Sequence, residues 1–261
     1  MVIGVKVGPP VGGLMKCYNP EMKSTDITKE LKTLADPTKA KLLQRYFKTG
    51  KGEYAEGDKF LGIMVPQQRS VAGKYQELSL VEISKLLSSN IHEYRFTALA
   101  ILVLKYKKAD QKEKDQIAKF YLNNRKNINN WDLVDTSAPY ILGNWLIDND
   151  RSILYKLVVS KNLWDRRIAI ISTFSFIRKS DFKDSLRLAE ILLDDKHDLI
   201  HKAVGWMLRE VGKKSESTLC EFLDRNYKIM PRTMLRYAIE KFEEDKRKRY
   251  LSKSASVAVA Y

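Results

Sequence analysis

Trp131 and Asp135 stand four residues apart in "NNWDLVDTSAPYILGNWL", residues 129–146. On a helix, that spacing puts an indole and a carboxylate on one face. An indole face attracts a cation by about 0.5–2 kcal/mol, and by more where water is excluded. A fixed carboxylate stabilises positive charge that develops in a transition state. The pair therefore suits a reaction that passes through a cationic centre. A core aromatic beside a capping or salt-bridged carboxylate fits the same spacing, because a WxxxD pair is a weak signal.

The residues around the pair say how it is positioned. Asn129 or Asn130 is the expected N-cap of a helix that starts at Trp131. Asp132 is then the second helical residue and is expected to serve the helix dipole. Pro139 follows Asp135 by four, so its ring removes the hydrogen bond to the Asp135 carbonyl and a kink is expected. A kink there frees backbone groups and opens a cleft beside the carboxylate.

Turn signals cut the rest of the chain into short helical segments, and strands are hard to find. Asp36 caps a segment with Pro37 at its first position, ending at Gly50. Ser79 opens "SLVEISKLLSS", and Asn90 opens "NIHEYRFTALAILVLKYKK". The stretch "DQKEKDQIAKFYLNNRKN" is amphipathic. Further helices are expected over 149–160, 163–178, 181–194, 197–212, 215–227 and 231–250, and a longer connection over 50–66.

The segments pair and resemble one another. "HEYRFTALAIL", "WDRRIAIISTF", "LIHKAVGWMLRE" and "PRTMLRYAIEKF" each carry a basic residue early, then a small or apolar run. Arg95 and Arg167 lie 72 residues apart, and Arg167 and Lys202 lie 35 apart. A period of about 35–40 residues built from helix pairs marks an α-solenoid of HEAT type. The expected fold is all-α, a curved solenoid whose concave groove is lined by the recurring basic residues.

Charge points to the partner. Forty-seven Lys and Arg against 32 Asp and Glu leave a net charge of +15, with pI near 9.6. Such a balance puts nucleic acid first and an acidic membrane surface second. Cys17 and Cys220 are far apart in sequence, which argues against a disulfide framework and fits a reducing cytoplasm. His92, His197 and His201 make no metal set with accompanying ligands, so neither a metal nor another cofactor is expected. No apolar run reaches membrane-spanning length. Residues 1–24 read as a poorly ordered extension, 25–250 as the repeat domain and 251–261 as a C-terminal tail.

Five ordered stretches carry a resemblance to a known family. "RYFKTGKGEYAEGDKFLGIMVPQQR", "NWDLVDTSAPYILGNWL", "NLWDRRIAIIS", "HKAVGWMLREVGK" and "RTMLRYAIEKF" resemble the AlkD-like DNA alkylation repair glycosylases, over roughly residues 35–245. The resemblance implies a curved array of HEAT-like repeats. It also implies excision of cationic N3- and N7-alkylated purines from duplex DNA, with the lesion left stacked. By position it makes Asp135 the catalytic carboxylate and Trp131 and Trp206 the lesion-contacting tryptophans. Tyr46 becomes an aromatic near the lesion, and Arg167 a contact to the DNA backbone. Arg166 and Lys202 join Arg167 as expected backbone contacts.

Other residues read as structural. Trp145 and Trp164 are expected in the core, and Arg209 with Glu210 as a surface ion pair. Gly205 fits either a close helix contact or an approach of DNA. The runner-up reading is a non-catalytic HEAT-like protein that binds distorted or branched DNA. It would not need two tryptophans and the carboxylate together. A protein-binding adaptor predicts an apolar or acidic groove. The expected working form is a cytoplasmic monomer.

Overall fold

The computed structural model describes residues 22–253, and these form an all-helical array. Residues 1–21 of the expected extension (1–24) and 254–261 of the expected tail (251–261) lie outside the described residues. The first helix begins at Ser24, the last residue of the expected extension. Ser24 is buried, and both its backbone N and its Oγ donate to Glu82.

The helices run in chain order as α1 (Ser24–Thr33), α2 (Pro37–Tyr46), α3 (Val65–Lys74), α4 (Leu80–Leu87) and α5 (His92–Lys108). Next come α6 (Gln111–Asn123), α7 (Trp131–Asp135), α8 (Ser152–Leu157), α9 (Leu163–Ser172) and α10 (Phe174–Arg178). The last five are α11 (Lys183–Ile191), α12 (Asp198–Lys214), α13 (Glu216–Asn226), α14 (Arg232–Ala238) and α15 (Glu244–Lys253). Among the described residues the strand-like feature is one isolated bridge between Lys59 and Ile91.

Local chemistry sets these boundaries. Asp36 caps α2 by accepting from the N–H groups of Thr38 and Lys39, with Pro37 at N1. Ser79 caps α4, and Asp110 closes a capping box on α6 with Glu113. The segment expected as one helix over 163–178 is two. Thr173 turns its hydroxyl onto the Ile170 carbonyl where α9 ends, competing with the backbone ladder.

Packing follows the repeat expectation. The α3 and α4 helices pack on α5, α9 packs on α12, and α12 packs on α13 and α14. One apolar core therefore runs the length of the array, from Ile27 in α1 to Tyr250 in α15. The α12–α14 contact needs Gly205. A Cβ there would sit 2.5 Å from the Met234 carbonyl oxygen and from the Tyr237 Cβ, so Gly205 serves close helix packing. Neighbour-on-neighbour stacking of helix pairs makes this a curved, HEAT-like solenoid. Among the described residues, no helix is long and apolar enough to cross a membrane.

Candidate active site

Three elements converge on one cleft of about 460 Å³. The first is α7 with the turn that follows it. Asn130 caps α7, accepting from the Trp131 N–H at 2.8 Å. After Asp135 the α-helix stops. Pro139 has no N–H to give, and the chain runs on as a π-helical turn over Pro139–Gly143, where the Gly143 N–H reaches the Ala138 carbonyl at 2.8 Å. The hydroxyls of Thr136 and Ser137 bond the carbonyls of Asp132 and Leu133. The expected kink is thus a change of helix type, and it leaves Asp135 at the end of α7, lining the cleft.

The second element is α9, which supplies Arg167. Its Nε donates to Asp135 Oδ1 at 2.9 Å and its Nη2 to Oδ2 at 2.8 Å, while Nη1 donates to the Leu199 carbonyl of α12. Arg167, expected as a contact to the DNA backbone, lines the cleft but spends its donors on protein. Its side chain is 6% exposed, and its three donating nitrogens are engaged by protein. It holds the carboxylate. Asp135 is itself largely buried. Burial pushes its carboxyl above the usual carboxylate range, Arg167 opposes that shift, and the nearby charge of Asp132 adds to it.

The third element is α12, which brings Lys202 and Trp206 to the same cleft, with Arg209 a further turn on. Trp206 donates its indole N–H to Glu210 at 3.1 Å and packs against Phe174. Lys202 pairs with exposed Asp198 at 2.7 Å and remains partly open to solvent. Arg209 pairs with Glu240, not with Glu210 as the sequence led us to expect. Arg166, the residue before Arg167, is turned elsewhere. It is absent from the cleft lining, donates to Asp195 at 2.6 Å and binds the carbonyls of Ser160 and Lys161. One position along a helix turns a side chain by about 100°, so Arg166 cannot share the direction of Arg167.

Trp131 forms the opposite wall. Its ring stacks on Phe47 at 5.3 Å and meets the edge of Tyr46 at 6.1 Å. Tyr54 lines the same cleft, and burial raises the pKa of its hydroxyl. Tyr46 is 65% exposed at the rim. Lys48, Tyr54, His197 and Tyr237 also line the cleft. Sequence reasoning missed these four. Lys48 and Tyr54 lie in the aperiodic connection after α2, where no spacing rule applies. Four cations (Lys48, Arg167, Lys202, Arg209) against two carboxylates (Asp135, Asp198) leave the lining basic.

Behind the Trp131 wall lies a buried charge cluster. Asp132 does more than serve the helix dipole: its Oδ2 bonds His92 Nε2 at 2.8 Å. His92 Nδ1 reaches Asp58 Oδ2 at 3.2 Å, and Arg95 donates to that same oxygen at 2.6 Å. The expectation that Arg95 lines the groove is corrected as well: it is 3% exposed. Burial lowers the His92 pKa, yet the two carboxylates outweigh it and raise the value to about 9. The imidazole is an imidazolium at neutral pH.

The comparisons agree with this architecture. The family model described as DNA alkylation repair enzyme matches residues 27–242. A predicted DNA alkylation repair enzyme from Enterococcus faecalis superposes with a TM-score of 0.65 at 17% identity, covering 80% of this chain and 97% of that one. AlkD2 from Streptococcus mutans superposes with a TM-score of 0.50 at 18% identity, covering 77% of this chain and 99% of that one. No curated relative matches the chain. With the family model spanning most of its length, this chain belongs to the DNA alkylation repair enzyme family.

Proposed function

We propose that this repair enzyme is a DNA glycosylase. In this reading it hydrolyses the N-glycosidic bond of cationic N3- and N7-alkylated purines, such as 3-methyladenine and 7-methylguanine, in duplex DNA. The observation that carries the reading is Asp135. It is a carboxylate held bidentately by Arg167 in a cleft walled by Trp131 and Trp206.

Alkylation at N3 or N7 makes the purine cationic. The C1′–N bond then breaks with its electron pair leaving on the base, which departs neutral and needs no added proton. Positive charge remains on the sugar. Asp135 stabilises that charge and orients the water whose oxygen adds to C1′, the water's proton passing to the carboxylate or to solvent. The indole faces of Trp131 and Trp206 favour a cationic base and sugar over neutral ones. Lys202, with Lys48 and Arg209, gathers phosphates at the rim. Arg167 acts through Asp135 and fixes its direction. The reaction works from outside the stack, with the enzyme as a cytoplasmic monomer.

The test is release of methylated bases from methylated duplex DNA. The wild type is expected to release 3-methyladenine or 7-methylguanine. Asp135→Asn is expected to lose about 10²–10³-fold in single-turnover rate, the scale of removing one transition-state electrostatic partner, while keeping DNA affinity. A wild type that binds DNA tightly yet releases no base would leave a non-catalytic DNA-binding protein as the reading.

A further inference from the structure

His92 does not reach the cleft, yet its surroundings tie it to everything on the cleft's Trp131 side. Its Nε2 holds Asp132, the residue after Trp131 on α7. Its Nδ1 holds Asp58, in the connection that also carries Phe47, Lys48, Tyr54 and Phe60. The imidazole stacks on Phe60 at 4.5 Å and leans on Phe47 at 5.0 Å. Phe47 in turn stacks on Trp131. Asn130, the cap of α7, reaches Asp58 as well, at 3.5 Å.

We propose that His92 is a positioning residue for base excision. By bridging Asp58 and Asp132 it clamps the Tyr54-bearing connection to α7, and so sets where Trp131 and Asp135 stand in the cleft. The inference rests on the glycosylase reading of that cleft and deepens it.

Two physical effects follow from the clamp. One is geometric. The bridge joins segments that the chain separates by more than 70 residues, and the aromatic stack transmits its position to the indole face. The other is electrostatic. Asp132 is close enough to Asp135 to push its carboxyl towards protonation. A positive His92 in contact with Asp132 offsets that charge, which helps keep Asp135 ionised for its task. The groups facing His92 are Asp58 from the connection, Asp132 from α7 and Arg95 from its own helix, together with the neutral rings of Phe47 and Phe60. Arg95 disfavours the proton and the two carboxylates favour it. The bridge therefore needs the protonated ring, since a neutral imidazole donates from one nitrogen alone.

The experiment compares wild type with His92→Gln and with Asp132→Asn, using full-length protein well below the melting temperature of each. Single-turnover release of methylated base and duplex affinity are measured from pH 7 to pH 10. The indole N–H resonance of Trp131 is followed by NMR over the same range. The wild-type rate should fall with a midpoint near pH 9, and the Trp131 resonance should move with the same midpoint. His92→Gln should be about 10- to 100-fold slower at pH 7, the scale of a small misplacement of reacting groups. It should show no step near pH 9, and its duplex affinity should be close to wild type. Asp132→Asn keeps His92 in the chain and should also slow release while retaining the fold. A purely structural histidine would lower melting temperatures and leave the rate, the pH profile and the Trp131 resonance of the folded variants unchanged, and that result overturns the inference. Absence of release by the wild type at pH 7 sinks the glycosylase reading instead. In that case the Trp131 titration still decides whether His92 sets the wall, and a resonance that ignores it counts against the clamp.

Discussion

Asp58 and Asp135 are two versions of one device. Each is a largely buried carboxylate facing a buried arginine, and the arginines, Arg95 and Arg167, hold matching places in the helical repeat. What differs is the rest of the shell. Burial pushes the Asp58 carboxyl upward, but His92 and Arg95 outweigh it and hold it below the usual range. Burial pushes Asp135 upward too, and there Arg167 does not make up the difference. Asp58 has the ring of His92 and the amide of Asn130 besides its arginine, whereas Asp135 has the cleft. The array thus contains one carboxylate that its cationic neighbours hold ionised, in a cluster that joins elements, and one that burial disfavours, on the wall of a cleft.

The largest effect that would break this comparison is on stability. Asp58→Asn leaves Arg95 and His92 positive with Asp132 as their remaining carboxylate. Removing one partner of such a buried cluster costs about 3–5 kcal/mol. Asp135→Asn also leaves a buried arginine without its counter-charge, and should cost less because the carboxylate it removes is already disfavoured by burial and the amide oxygen still accepts one of the two Arg167 bonds. Chemical denaturation of both variants checks this. Equal losses would mean that the two pairs are energetically the same, and the contrast drawn from their surroundings would fall.

A second effect is the pH dependence of stability. The folded-state pKa of His92 is raised from 6.5 to about 9. Its contribution is therefore fully present below pH 6.5 and is lost as pH rises through about 9. At about 1.36 kcal/mol per unit, the gap is worth about 3 kcal/mol. Unfolding free energy measured between pH 6 and pH 10 should decline accordingly in the wild type. The decline should be absent in His92→Gln. A wild-type curve that stays level across this range would show that His92 is not held as a cation.

How much of this was legible in the sequence depends on whether the information is local. Caps and starts were readable because they rest on neighbouring residues, as at Asp36–Pro37, Ser79 and Asn130. The repeat could be seen because similar helices recur. The candidate site residues Trp131, Asp135, Trp206, Tyr46 and Lys202 were named from spacing and resemblance, and all five line the cleft. What the sequence hid were partners across helices. Spacing rules cover i to i+4 within one helix, whereas Arg167 meets Asp135 across 32 residues and His92 meets Asp132 across 40. For that reason Arg166 and Arg167 read alike as surface cations although each is consumed by a different aspartate. The same limit hid Tyr54, because a connection without periodicity gives no face to predict.

The smallest effect concerns the rim. With Arg166 and Arg167 both committed to aspartates, Lys202 is the expected backbone contact that the structure leaves on the cleft with an exposed partner. Asp198 is more than half exposed, so the pair is worth little to the fold and exchanges readily for a phosphate. Lys202→Ala should therefore leave the melting temperature nearly unchanged and weaken duplex binding by severalfold at moderate salt. It should also lower the slope of log affinity against log salt by about one counterion. Arg166→Ala should leave that slope alone and lower stability, since it opens the Asp195 pair and two carbonyl bonds. If the two variants behaved the other way round, the phosphate track would lie along the Arg166 face of α9, and the cleft walled by Trp131 and Trp206 would no longer be the place where the duplex is held.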